Sequence, residues 1–354
     1  MSDSRLSKAS MTRPNHLSAS RRHFGFSLIE LLVAITIGLV IVVAAGSAYL
    51  GASTAGKVTD AQSRMNEDGQ AALNILTQHL RMAGTNPNQT NRDPAFERNP
   101  IYAAGYVGGE KTLYAVVAAV VPIPTLSPFS IRGCDGTFTA TPATATAISA
   151  LSCAGGINTL PDSIAISYEA DRYTEPTTGG NPTDCIGNQL PSTTAAFPLP
   201  APAGTSTATF SVAVNRFYIA TSGSVNAPTL FCKGNGGTVG TPGQPLVENI
   251  EDMQFTYGTV SAAATLSTAT AAGYLTANDV VNETSLALVP LEADRWGKVL
   301  TVRICVLVRS EISAAPNAAS AKYDDCQGNR DVTAPDLRLR RAYSTTVVLR
   351  NRRV

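Results

Sequence analysis

Glu30 is the single ionisable side chain between Phe26 and Val43, a run of eighteen residues otherwise built from apolar and small side chains. An unpaired carboxylate in a bilayer core costs roughly 2.5–3.5 kcal/mol on insertion scales, so an acid in such a run marks a partner or a pathway. Just ahead, Arg21 and Arg22 close a basic stretch and Gly25 places a small residue before Phe26. A cut between Gly25 and Phe26 makes Glu30 the fifth residue of the product and creates an α-amino group on Phe26. Four residues of helix span about 6 Å. The carboxylate can therefore meet the amine of a neighbouring copy offset by one turn, in a charge-assisted contact. The chemistry offered by this spacing is docking of one subunit on another.

The other residues able to do chemistry are six cysteines, Cys134, Cys153, Cys185, Cys232, Cys305 and Cys326. An even number in an exported chain reads as a disulfide set. Six allow fifteen pairings, and the spacing alone does not choose among them. Proximity along the chain suggests Cys134–Cys153, Cys185–Cys232 and Cys305–Cys326. A metal reading fails, because no two have C-x-x-C spacing and none has a nearby histidine. Asp324-Asp325 and Asp279 with Glu283 offer oxygen ligands, but neither has the spacing of a known calcium loop, and exposed turn acids account for both. No Gly-rich phosphate loop, H-E-x-x-H or nucleophile elbow is present. With leader removal His79 is the one histidine left, inside a helical stretch where it covers or packs on a domain. No enzyme activity, cofactor or metal is expected.

These residues need elements to position them. Residues 1–25 carry Arg5, Lys8, Arg13, Arg21 and Arg22 against Asp3, a net of +4. Basic flanks stay cytoplasmic, so the chain after the apolar run faces outward. Its run from Phe26 to Leu50 suffices for one membrane crossing. The remaining 329 residues hold 22 basic against 25 acidic side chains, and no basic excess points to nucleic acid. An ordinary secretory signal carries its cleavage site after the apolar stretch, whereas this candidate cut precedes it. A plain single-span anchor accounts for the length and leaves Glu30 unexplained.

Past the apolar run, Val58, Ala61, Met65, Ala72, Leu76, Leu80 and Ala83 recur at helical spacing, with Asp60, Arg64, Glu67, Gln70, Asn74 and Arg81 between them. Gly46, Gly51, Gly56 and Gly69 weaken or bend this helix at about 1 kcal/mol each relative to Ala, and Gly84 and Pro87 end it. The spacing predicts one helix over 26–83, membrane-spanning to about residue 50 and then amphipathic. From Ile101 the period falls to two. Ile164, Ile166 and Tyr168, then Met253, Phe255 and Tyr257, then Leu300, Val302, Ile304, Val306 and Val308, alternate as half-buried strands. Val212 to Val214 and Thr345 to Leu349 add further candidates. Thr137 to Ala150, Pro191 to Thr209 and Ser261 to Ala272 carry little apolar bulk and read as long loops. Residues 84–354 form one β-rich domain, with a second small domain between Pro87 and Pro161 as the alternative. Six arginines lie between Arg338 and Arg353 and read as solvent-facing strand positions alternating with Leu337, Leu339, Val347 and Leu349. Trp296, the sole tryptophan, reads as a core residue at the entrance to a strand, with an interface anchor as its alternative.

The stretch from Arg21 to Leu50 resembles the class III signal of type IV pilins and type II secretion pseudopilins. In that family a prepilin peptidase cuts after the glycine and methylates the new N-terminal residue, and the glutamate guides docking; Gly25, Phe26 and Glu30 match those three roles. Arg64 to Leu73 and Leu80 to Gly84 resemble two helical elements of PilW-type minor pilins, departing at Asp68, where Asn is usual, and at Gln70, where Arg is usual. Leu230-Phe231-Cys232, Pro245 to Gly258, Arg295 to Ile304 and Tyr343 to Arg352 resemble the middle and last strands of that family in the same order, while 87–160 and 170–228 carry no such signature. The resemblance implies an α+β, type IV pilin-like fold, with a long N-terminal helix packed on a β-rich globular domain. It implies a subunit held in the inner membrane by a single span, its C-terminal domain periplasmic, and then moved to the fibre, at its tip. There it would help initiate pilus assembly and support adhesion and twitching motility. Its implied partners are other minor and major pilins, the prepilin peptidase, the inner-membrane assembly platform and a tip adhesin. The rival readings are a minor pseudopilin of a type II secretion system, which shares Gly25 to Leu50, and an unprocessed membrane-anchored periplasmic binding module. An adhesin whose Thr/Ala/Pro loops contact a ligand is compatible with the pilin reading.

Overall fold

A computed structural model describes residues 25, 27–85, 130–139, 148, 151–155, 160–170, 182–198, 205–221, 226–237, 242–260, 271–282 and 292–351. Phe26, the leader ahead of Gly25, Glu283 and most of the span from Pro87 to Pro161 lie outside the described residues. The chain divides into two compact units at Ser53.

Helix α1 runs Leu28–Met82 without interruption. In the first unit its side chains are exposed all round, from Leu28 to Leu50. Two hydroxyls there turn inward to their own helix: Thr36 donates to the Val33 carbonyl and Ser47 to that of Ala44, each at 2.9 Å. That removes the need for an outside partner in an apolar setting. In the second unit Ala61, Met65, Gly69, Ala72, Leu76, His79 and Leu80 are buried on one face. This matches the helical spacing, with Val58 only half-buried at its start. Gly84 ends the helix in the left-handed region (φ 73°), where a residue without Cβ is unstrained. Its N–H then donates to the Ser167 carbonyl at 2.9 Å.

Twelve strands follow among the described residues: β1 Ile131–Cys134, β2 Ser163–Ala170, β3 Ser192–Pro198, β4 Thr205–Thr221, β5 Pro228–Lys233, β6 Gln244–Glu248, β7 Ile250–Thr259, β8 Gly273–Leu275, β9 Val299–Ser313, β10 Lys322–Tyr323, β11 Val332–Thr333 and β12 Arg338–Val348. Two short helices, α2 Ala277–Asn282 and α3 Glu292–Gly297, and a 3-10 turn at Ala318–Ala321 lie between them. The first sheet has the order β1-β2-β4-β5-β6, with β3 pairing the first part of the long β4, so Pro191 to Thr209, expected as a long loop, instead holds two paired strands, whose backbone ladder does not need apolar bulk. The second has the order β12-β9-β7-β8, and β10 pairs β11 separately. Every pairing is antiparallel. The chain passes from the first sheet to the second at Asn249, whose φ of 62° lies in the left-handed region that Asn tolerates.

One apolar core joins the buried face of α1 to both sheets. Ile164, Ile166, Met253, Phe255, Val302, Ile304 and Val306 point into it as their alternation predicts. β2 departs from a half-buried strand: all eight of its residues are buried, because it pairs on both edges, with β1 and β4, and is covered on both faces. Trp296 is wholly buried at the end of α3, three residues before β9 is under way, its ring edge-on to Tyr257 at 4.9 Å.

The arginine reading needs correction. Arg340 is buried, held by both carboxylate oxygens of Glu251 and by Asp336 at 2.7 Å. A register shift between Arg338 and Arg340 breaks the alternation and Arg340 turns inward, while Leu337, just ahead of β12, is exposed at 40%. Burial opposes the Arg340 charge, but its bonds to Glu251 and Asp336 outweigh that and hold the guanidinium more firmly protonated than usual.

Candidate assembly site

The N-terminal end of α1 is closed by a reciprocal pair. The Glu30 N–H donates to Ser27 Oγ at 3.2 Å, and the Ser27 N–H donates to Glu30 Oε2 at 3.4 Å. Ser at the cap and Glu three residues on satisfy two of the donors that a helix start leaves unpaired. Glu30 is thereby turned back toward Gly25 and the candidate cleavage point. Ser27 is the site residue that sequence reasoning missed, although the Ser-x-x-Glu spacing carried the signal.

Beyond that cap the helix is long and apolar enough to cross a membrane. Residues 28–50 span about 35 Å at ~1.5 Å per residue, enough for a hydrocarbon core of ~30 Å. Leu28, Ile29, Leu39, Val40 and Val42 are each at least 60% exposed. A helix apolar all round and bare on every side needs lipid or other helices around it.

The second half of α1 is seated on the domain through specific contacts. Tyr343 on β12 lies so close to Gly69 that a Cβ there would meet its ring at 2.7–2.9 Å, and the Tyr343 hydroxyl donates to Asn66 Oδ1 at 2.6 Å. Asn351 Nδ2 donates to the Arg81 carbonyl at 2.8 Å and to Thr85 Oγ1 at 2.6 Å. Arg64 reaches Glu311 at 3.5 Å and Asp60 at 3.2 Å. Asp68, where the resembling family has Asn, is pushed up by burial, pulled down by its hydrogen bond with Asn249, and pushed up again by Glu67, Glu248 and Glu311. Gln70 is exposed.

His79 is buried among polar partners. Asn215 Nδ2 donates to Tyr168 Oη at 3.1 Å and to His79 Nδ1 at 3.4 Å, and the Tyr168 hydroxyl lies 3.5 Å from the same nitrogen. Phe217 packs on the imidazole at 5.0 Å. An Nδ1 that accepts is unprotonated, and burial lowers the ring to about 4. His79 is a packing residue that links α1 to β2 and β4.

The cysteines form three disulfides, Cys134–Cys153, Cys185–Cys232 and Cys305–Cys326. These are the pairs that chain proximity suggests. The acids considered as calcium ligands are used locally. Asp325 accepts from the N–H groups of Gln327 and Asn329, Asp324 from that of Asp331, and Asp279 from that of Thr276. Among the described residues no group of three or more side chains is placed to hold a metal.

Two family profiles match the chain. Residues 20–46 match the prokaryotic N-terminal methylation motif, which takes in Gly25, Phe26, Ser27 and Glu30. Residues 216–351 match type IV pilus-assembly protein W, PilW. The motifs at 230–258, 295–304 and 343–351 fall inside that match, and the helical elements at 64–84 fall outside it. No curated protein sequence matches the chain. Among solved structures, a type IV-like pilin from Thermus thermophilus is similar at 12% identity and a TM-score of 0.27, over 54% of this chain and 79% of that one. With the methylation motif at the head of a bare apolar helix and a match to PilW running from β4 through both sheets to the last strand, the chain is type IV pilin-like in its N-terminal motif and similar to PilW over residues 216–351.

Proposed function

We propose that the chain is a minor pilin of a type IV pilus, a structural subunit and not an enzyme. The observation that carries this is a processing motif leading directly into an uncovered apolar helix whose only intramembrane acid, Glu30, is folded back on Ser27 toward the cleavage point. In this reading the uncut chain waits in the inner membrane with its domain in the periplasm. Prepilin peptidase removes residues 1–25 and methylates Phe26, and the assembly platform then brings the helix among those of other minor and major pilins. Glu30 exchanges the Ser27 N–H for the amine of a neighbour. A carboxylate and an amine that are both out of water hold each other strongly, since either alone is costly there. The PilW region favours a place in the complex that begins the fibre, at the tip, with adhesion and twitching motility depending on it.

Intact-mass measurement of the membrane-extracted protein, from cells with and without prepilin peptidase, tests the reading. Loss of residues 1–25 with gain of one methyl group, only when the peptidase is present, is the expected result. A full-length chain in both strains overturns it. The initiating role is tested separately by counting surface fibres after deletion of the chain: near-complete loss is expected, and a normal number of fibres removes that role.

A further inference from the structure

Two buried carboxylates meet where the two sheets join. Asp135 follows β1 and is 7% exposed; Asp162 precedes β2 and is 3% exposed. Asp162 Oδ1 accepts the Gly136 N–H at 3.1 Å, and Oδ2 accepts the Phe255 N–H of β7 at 2.8 Å. Its own N–H donates to the Met253 carbonyl at 2.7 Å, and Ser163 Oγ donates to the Gly136 carbonyl at 2.8 Å. Asp135 accepts the N–H groups of Ala277 and Asn278, at the start of α2, at 2.8 and 2.9 Å. Four backbone donors from three parts of the chain thus converge on two adjacent acids, beside the Cys134–Cys153 disulfide.

No described cation balances them. Among the described residues, the titratable groups that face Asp162 are Asp135 from the end of β1 and Asp252 and Tyr257 from β7. The Tyr257 hydroxyl is buried against Gly133 without a hydrogen-bond partner among the described residues. Arg132, the one basic residue of β1, is turned to Glu292 and to the carbonyls of Ile148 and Leu151. On α2, Asp279 is occupied with Thr276. Burial pushes Asp162 up to about 7, against the pull of its two backbone donors, and Asp135 and Asp252 add to the rise.

We propose that this junction is a proton-controlled clip: with Asp162 neutral, it holds the first sheet and the Cys134–Cys153 lobe to the second sheet, and ionisation of Asp162 loosens that hold. The physical reason is that ionisation puts a buried negative charge beside another carboxyl group, where no described cation lies. The site relieves it by admitting water at the Gly136 and Phe255 bonds. The inference rests on the domain's own geometry and is independent of the assembly role.

Hydrogen exchange read by mass spectrometry on the full chain in detergent, at about pH 5.5 and about pH 8 with chemical exchange rates corrected, tests it. Segments holding Gly136 and Phe255 should lose protection by about tenfold or more at the higher pH, while the β9–β12 pairing stays unchanged. Asp162→Asn should abolish the difference. Should that variant fail to fold, Asp252→Asn removes one facing charge that raises Asp162 and should move the loosening to lower pH. Equal protection at both pH values in the unmodified chain overturns the proposal, as does a uniform loss across the domain or an undiminished pH response in Asp162→Asn.

Discussion

Gly69 shows how a single side chain, or its absence, sets a seam. Read from sequence it is a weak point in a helix, about 1 kcal/mol worse than Ala. In the fold its missing Cβ is what lets the Tyr343 ring lie flat on α1 and its hydroxyl reach Asn66. Gly69→Ala should therefore destabilise the domain, by about 1–3 kcal/mol as overpacking does, despite the better helix propensity. Thermal melting measures it, and a second change, Tyr343→Leu, should restore part of the loss by removing the ring. The sign was not legible in the sequence, because the partner lies far along the chain and helical spacing says nothing of it. Glu30 is the opposite case. A lone acid in an apolar run announces itself, and its Ser27 partner sits three residues away, within reach of local reasoning.

At the scale of elements, legibility followed how uniform each environment is. α1 was readable from end to end because its apolar and amphipathic halves each keep one period, and because Gly84 stops it in the left-handed region. β9 was readable because one face meets the core and the other does not. β2 was misread as half-buried because its central place between β1 and β4 is a property of the sheet and not of its own residues. At the end of the chain Val347 and Leu349 are buried as expected, but Arg340 was misread, because a register shift before it turns it to the other face and nothing in the local alternation signals a bulge. The disulfides are elements too. Cys305–Cys326 fastens the segment that carries the 3-10 turn and β10 to β9, across a separation of 21 residues. Replacing both cysteines by serine should cost about 2–4 kcal/mol. Limited proteolysis should then cut faster within residues 314–336, with the β7–β9–β12 pairing left intact.

For the whole molecule the buried titrating groups set how stability depends on pH. His79, lowered to about 4 from an ordinary 6.5, favours folding where its ring is neutral, so its contribution is present above 6.5 and is lost as pH falls toward 4. Asp162, raised to about 7 from an ordinary 3.8, favours folding where it keeps its proton, so its contribution is present below 3.8 and is lost as pH rises toward 7. Between about pH 4 and 6.5 the two slopes, each at most about 1.4 kcal/mol per pH unit, run in opposite directions and nearly cancel. Melting temperature should thus vary little across that range in the unmodified chain. His79→Gln should unmask a fall with rising pH, and Asp162→Asn a rise; parallel curves for all three proteins would refute this account.

The placement of the three disulfides has a mechanical consequence. Each closes a loop within the neighbourhood of one sheet, and none ties α1 to a sheet or one sheet to the other. If the chain is stretched, the loops spanning separations of 19, 47 and 21 residues cannot lengthen. Extension has to begin outside those loops, where packing and hydrogen bonds alone hold the chain, and the joints of Tyr343 on Gly69 and of Asp162 between the sheets are among such places. Under tension the unlocked stretches would give way while the three loops stay closed, and a chain whose loops stay closed has less to find again when the load is removed.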